Sequence, residues 1–553
     1  MTIAEIMLQL RQLQATAPCL HPSAILALDE SASLNTAAEA ALDAIGIPAL
    51  LATDDNGQPT TAMPELMALL RTLCESDLAL GLGYILTTFM AVANVWVAGS
   101  DEHKALCNTM LAAGKKISVA YHELEHGNDF SGNELTAAPV PGGYLLTGAK
   151  QVINNIGRAS GIVLQARTSA EPGIRGHSLL LIDTGRLDAE TYRILPRVNT
   201  QGVRGCQIAG VEFTQCFVPA DCLIGREGYA FSYALTAFQI TRALLPGISL
   251  GPIDRALAIT TNYAVHRRLY GDNLLALPHV RAELTLAWFD YALGDNLSYV
   301  AARGLHAIPA EMNVLGSLCK AHVPLRMRAV LKKLAQALGS RYYLREGEAA
   351  LFEKIVRDYP VVSLGHASSF TCQASLIPQL PLIFRRFSQP RDNLRQNLLE
   401  LFTPQDEHPF SGAGLRLTTS GNDLLLHSIY YWPTHIAMLI EAQSIGNAEG
   451  ELLQQRLALL HSHCVSLCET VFEPDSHQAF EIVQRYAWLQ TALATIGRWC
   501  LDPAAPFAGD VDYLKACLNF VFAQLARTPF YAEPSVEGRI IDYLQTRGAV
   551  DPG

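Results

Sequence analysis

Three short patterns in this 553-residue chain bring together residue types that do chemistry. His122-Glu123-Leu124-Glu125-His126 satisfies H-E-x-x-H, which on a continuous helix places two imidazoles on one face for zinc. Gly127-Asn128-Asp129-Phe130-Ser131-Gly132 follows at once and reads as a loop, so the helix is cut short, and no convincing third ligand lies downstream. Gly247-Ile248-Ser249-Leu250-Gly251 matches the G-x-S-x-G elbow of a nucleophilic serine, which needs a strand before it. Phe238 to Leu245 is helical in pattern instead, so the two glycines are expected to serve close helix packing. His461, His463, Cys464 and Cys468 gather on a C-terminal helix, with His461, Cys464 and Cys468 sharing a face. Thiols on an apolar helix face usually belong to a core, and no metal site is expected.

The elements that must position any site follow from composition and periodicity. Half the residues are hydrophobic and 17% are charged, a folding composition. Forty-one Lys and Arg against 52 Asp and Glu leave a net charge of −11, which argues against a nucleic-acid binder. The 12 cysteines form no C-x-x-C pair, and the N-terminus lacks a secretory pattern, so a reducing cytoplasm is expected. Leu78 to Ser100 is uncharged and long enough to cross a bilayer. Asp77 and Asp101 flank it without a basic anchor, and Thr87, Thr88 and Asn94 interrupt it, so a buried helix and no membrane span are expected. Helical texture fills residues 1–117. Strand candidates at Gly142–Gly148, Ile162–Arg167, Ser178–Asp183 and Gln207–Phe213 mark a β domain over 118–228. Helices return over 229–390, a polar linker runs from Thr403 to Gly414, and residues 391–553 read as an additional helical domain. The fold class is mainly α with a small β domain.

An ordered set of motifs says more. Glu102-His103-Lys104 follows Ala98-Gly99-Ser100. The His122–Gly132 stretch parallels a T-E-P-x-x-G-S-D-x-x-G loop, and Gly143 to Asn155 parallels G-Y-x-L-N-G-x-K-x-W-I-T-N. Gly202-Val203-Arg204-Gly205, Phe213, Val218-Pro219 and Gly225-Arg226-Glu227-Gly228 come next. Arg242, Tyr263 to Gly271, and Gln336-Ala337-Leu338-Gly339 complete the series. Together, over about residues 70–370, they resemble the acyl-CoA dehydrogenase family. The resemblance implies an N-terminal helical domain, a middle β-barrel or sandwich domain and a C-terminal four-helix bundle around FAD, here with an extra C-terminal helical domain.

By that resemblance His122 and Asn154 stand where two threonines contact the flavin ring, and Asn128 where a serine serves pyrophosphate or substrate. Both are donors a flavin binder needs. Val152 replaces a tryptophan over the flavin. Arg267 and Tyr270 match residues that reach a neighbouring subunit's FAD, with Gln336, Gly339 and Ser340 from a facing segment, and Ser368 adds a cofactor contact. Arg242, Gly365 and His366 join Asn128 as substrate contacts. Arg357 to Phe370 aligns without a gap on the segment carrying the family's catalytic glutamate, and His366 falls on that glutamate. The alternative glutamate position holds Thr241. Imidazole titrates near neutrality and can take a proton, so His366 is the candidate base. The resemblance implies FAD-dependent α,β-dehydrogenation of an acyl thioester on coenzyme A or a carrier protein. The backbone N–H of His366 would help polarise the thioester carbonyl. An electron-transfer flavoprotein or oxygen would be the acceptor, and a homodimer the assembly. The alternative is a flavoprotein of this fold with oxidase or monooxygenase chemistry, or an inactive flavin- or acyl-binding protein.

Overall fold

The computed structural model describes residues 2–347, 349–365, 367–403 and 410–548. Seven α-helices, from Ile3–Thr16 to Asp101–Ala112, build the N-terminal part. The uncharged run forms one continuous helical path, Leu78–Ala98, and 89% of its most apolar window is buried inside the protein. It is the core helix that its flanking carboxylates and internal polar residues suggested. Each polar interruption has a use on the side facing the sheet. The Thr88 hydroxyl accepts from the Ile117 amide at 3.2 Å, and Asn94 accepts from the Tyr121 hydroxyl at 2.7 Å.

Eight strands follow: β1 (Lys116–Ala120), β2 (Thr136–Val140), β3 (Gly143–Asn154), β4 (Ala159–Arg167), β5 (His177–Asp183), β6 (Tyr192–Ile194), β7 (Ile208–Pro219) and β8 (Leu223–Ile224). They form one sheet in the order β6-β7-β3-β2-β4-β5-β8, with β1 parallel on β4. Each of the four strand candidates overlaps a strand, but the first and the last were read too short. β3 continues past Gly148 to Asn154 because antiparallel pairing with β7 carries it across two register shifts. The second shift leaves Val152 at φ +59°, a left-handed conformation that a β-branched residue rarely adopts.

Three long helices, Ala230–His266, Pro278–Ala307 and Met312–Leu338, form the bundle with a broken run of short helices from Ala350 to Leu376. Gly247 and Gly251 lie within the first. A Cβ at Gly251 would stand 2.2 Å from the Arg71 carbonyl oxygen, and one at Gly247 2.7 Å from that of Met67. The glycines therefore let this helix press backbone to backbone on Met63–Ser76, and Ser249 is buried in helix, not exposed on an elbow.

The added C-terminal helices share the bundle's core. Arg303 donates to the Leu401 carbonyl at 2.6 Å, Arg498 to Asp295 at 2.7 Å and Arg281 to Glu537 at 2.7 Å. Pro278–Ala307 thus packs on both sides, which is why it reads apolar with little stripe. The final helix, Pro534–Gly548, is fixed where Arg547 and Arg71 both bind Asp254, at 2.9 and 2.6 Å. Burial alone would raise the Asp254 carboxyl, but Arg71 and then Arg547 hold it below its ordinary value. A depressed carboxylate contributes its stability above its unfolded pKa and loses it as pH falls through the folded one. Docking of this helix is therefore expected to be intact above about pH 4 and to weaken in stronger acid. Asp254→Asn, which leaves Arg547 without its carboxylate, is expected to cost about 3–5 kcal/mol. Limited proteolysis of residues 534–548 against pH measures both; equal protection of variant and wild type would contradict them.

Candidate active site between the sheet and the bundle

The site's floor is a fault in the Leu78–Ala98 helix. Leu82–Leu86 forms a π-turn, which widens the hydrogen-bond ladder and frees carbonyls; such turns are frequent at functional sites. The end of β3 and the turn that follows it supply the donors. Asn154 Nδ2 donates to the Leu82 carbonyl at 3.1 Å and to Thr87 Oγ1 at 2.8 Å. Asn155 Nδ2 donates to the Gly83 carbonyl at 2.6 Å, joined there by Arg158 at 3.1 Å. With its amide nitrogen committed, Asn154 keeps its Oδ1 buried and without a partner. An unmet buried acceptor costs about 1–3 kcal/mol unless something supplies an N–H or O–H.

One wall is the loop after β1. His122 is half-buried with Nδ1 3.3 Å from the Gln151 carbonyl; with Nδ1–H donated there, Nε2 is the acceptor side of the ring. Glu123 pairs with Lys150 at 2.8 Å and accepts from the amides of Glu134 and Leu135. The H-E-x-x-H residues therefore sit in a turn with their glutamate consumed by a lysine. Among the described residues no three His, Cys, Asp or Glu side chains group as metal ligands, at this turn or near His461 and Cys464. Further along, Asn128 Nδ2 donates to Thr371 Oγ1 at 3.2 Å, so the sheet's loop touches the Ser369–Leu376 helix directly. Ser368 caps that helix, its hydroxyl accepting from the Thr371 amide at 3.1 Å.

The opposite wall comes from the bundle. Arg242 is buried, with Nη1 donating to Ser317 at 3.1 Å, its guanidinium 5.0 Å over the Phe238 ring, and Nε unpartnered. Gly365 ends the short Pro360–Leu364 helix, and Ala367 stands at φ +63°. His366 lies outside the described residues. The approach to this segment is tied down by charge. Lys354 is buried between Asp77 at 2.5 Å and Asp358 at 2.6 Å. Asp358 in turn accepts from the Val203 amide at 2.6 Å, and a Cβ at Gly202 would meet the Arg357 carbonyl at 2.2 Å. That close approach is the physical need behind the Gly202-Val203-Arg204-Gly205 motif.

Arg267, Tyr270, Gln336, Gly339 and Ser340 are exposed, Tyr270 to 92%. They lie at the C-terminal ends of the first and third bundle helices, which run alike because the second returns between them. The structure does not bring this rim onto the floor around Asn154 by any hydrogen bond among the described residues.

Residues 230–366 match the family described as acyl-CoA dehydrogenase, C-terminal domain. Over that segment the chain resembles the acyl-CoA dehydrogenases. It is similar to the probable acyl-CoA dehydrogenase FadE25 of Mycobacterium tuberculosis, 30% identical over 181 residues, 32% of this chain and 45% of the relative. It is also similar to the L-prolyl peptidyl-carrier-protein dehydrogenase of a Serratia species, 29% identical over 174 residues, 31% of this chain and 44% of the relative. The matches thus span less than half of these two relatives. Among solved structures, butyryl-CoA dehydrogenase from Megasphaera elsdenii superposes with a TM-score of 0.61 at 19% identity, covering 67% of this chain and 95% of that one. PigA with FAD and proline gives 0.61 at 17%, covering 68% and 97%. The likeness shows the acyl-CoA dehydrogenase fold, and the added C-terminal helices lie beyond it.

Sequence reading missed Thr87, the π-turn carbonyls, Ser317, Thr371 and Lys320. The signals were present as two threonines and two close glycines in an apolar helix, and a lysine inside Leu318-Cys319-Lys320-Ala321. None of these says what it will meet. Lys354→Met would strand Asp77 and Asp358 in the interior and is expected to cost about 3–5 kcal/mol. Denaturant titration should show this as a lower midpoint; an unchanged midpoint would mean the node is not what joins helix, sheet loop and bundle.

Proposed function

We propose that this protein is an FAD-dependent oxidoreductase that dehydrogenates an acyl thioester between its α and β carbons, with His366 in place of the usual glutamate. The observation that carries the reading is Asn154, whose amide nitrogen is held by the π-turn while its buried Oδ1 lacks a partner. An isoalloxazine edge offers an N–H to such an acceptor, so the residues fit the cofactor. His122 would hold the same edge. Asn128 and Ser368, close together through Thr371, would serve the pyrophosphate or the substrate's polar part. When bound, FAD supplies the acceptor for the β-hydride. The chain's share is to orient the thioester, through Asn128, Arg242 and the backbone at Gly365 and His366, and to take the α-proton on the His366 imidazole.

Coenzyme A and a carrier protein are both proposed as thioester carriers, the second supported by the likeness to the Serratia peptidyl-carrier-protein dehydrogenase. An electron-transfer flavoprotein or oxygen would reoxidise the flavin. The exposed rim of Arg267, Tyr270, Gln336, Gly339 and Ser340 suits a homodimer in which each copy completes its partner's FAD site, Arg267 offering paired N–H donors to pyrophosphate. All 12 cysteines are free, which suits a cytoplasmic setting. The competing reading is a flavin- or acyl-binding protein without this reaction, or one with oxidase or monooxygenase chemistry. It is favoured by the absence of a carboxylate at both 241 and 366.

Anaerobic mixing of the FAD-loaded protein with acyl-coenzyme A and acyl-carrier thioesters decides between them. Loss of flavin absorbance is expected with at least one, and His366→Ala should slow it by about 10²–10⁴-fold while keeping its flavin. No bleaching with any acyl group would leave the competing reading. Light scattering should give a dimer, and Arg267→Ala should lose FAD on gel filtration; a monomer with full flavin occupancy would refute the shared site.

A further inference from the structure

Three lysines are almost wholly enclosed, Lys150, Lys320 and Lys354 at 0, 1 and 2% exposure. Lys150 meets Glu123 and Lys354 meets Asp77 and Asp358. Lys320 has no carboxylate within ion-pair distance among the described residues. Its ammonium donates to the Val362 carbonyl, and the charged or titratable groups felt beside it are Arg242 and Cys372. Burial pulls it down to about 8. Isolated charge is costly to bury, and a methionine would fill similar space without that cost.

The carbonyl it holds belongs to the short Pro360–Leu364 helix, whose last carbonyls have no partner within the helix. The same turn of the Met312–Leu338 helix grips the chain again a few residues later. Ser369 Oγ donates to the Lys320 carbonyl at 3.2 Å, and Ala321 packs with Ala367 and Cys372 in a small separate cluster. Between the two grips Ala367 keeps φ +63°, a conformation that persists only where its surroundings enforce it.

We propose that Lys320 is a positioning residue: its ammonium, bound to the Val362 carbonyl, fixes the backbone that leads into position 366. The role of position 366 as a base rests on the reading in the preceding subsection. The clamp itself does not, and the test separates the two.

FAD-loaded Lys320→Met, Lys320→Gln and Ser369→Ala are compared with wild type by hydrogen exchange of the amides of 362–370 and by flavin reduction at saturating thioester. Lys320→Met is expected to keep its flavin, to exchange these amides about tenfold faster and to reduce flavin at least about tenfold more slowly with KM little changed. Lys320→Gln, which retains a donor, should recover part of both. Exchange and rate within twofold of wild type in Lys320→Met, or a lower rate with unchanged exchange, would overturn the proposal. If Lys320→Met does not fold, Ser369→Ala, which removes the second grip, decides by the same two measurements. If wild type reduces no flavin with any thioester, the dehydrogenase reading fails and exchange alone decides the clamp.

Discussion

One buried ammonium, that of Lys354, organises much of the molecule. It bonds Asp77, which caps the start of the Leu78–Ala98 helix, and Asp358, which holds the Val203 amide of a sheet loop. Burial alone would lower this ammonium, but Asp77 and Asp358 together raise it well above its ordinary value. Helix, sheet and bundle therefore meet at one charge, just upstream of the segment that approaches position 366. Arg357 reinforces the join from outside through Asp29 and Glu353.

Such a joint permits strain elsewhere. The π-turn gives up part of a helical ladder, and the end of β3 with the turn after it recovers the loss through Asn154, Asn155 and Arg158. Val152 and Ala367 hold left-handed conformations that neither residue favours. At the same junction of β3 and the π-turn, Asn154 Oδ1 is buried without a partner.

The additional C-terminal helices act on the bundle, not on the floor of the site. They turn Pro278–Ala307 into a helix covered on both sides, with Trp288 fully buried and its ring 5.0 Å from that of Tyr543. They also reach the Ser369–Leu376 helix, where Phe480 stacks on Phe370 at 4.8 Å. Surface that a bare bundle would expose is thereby enclosed within the chain.

Sequence determined the class of structure, because periodicity reports which faces are apolar and the spaced glycines report close approach. Gly251 against the Arg71 backbone and Gly202 against Arg357 are visible as motif glycines before any coordinates. The uncharged helix was legible as buried because Asp77 and Asp101 are poor membrane anchors. The order of motifs also pointed to the loop at His122, the strand end at Asn154 and the helix position of Arg242. Tertiary structure alone decided what their atoms are free to do. Whether Asn154 has a spare acceptor depends on the π-turn carbonyls, and whether Lys320 has a counter-ion depends on the Val362 segment. Both pairings join residues far apart in the chain, where propensity and spacing carry no information about contact. The H-E-x-x-H pattern illustrates the same limit: five residues match a zinc site, and a lysine from β3 claims the glutamate.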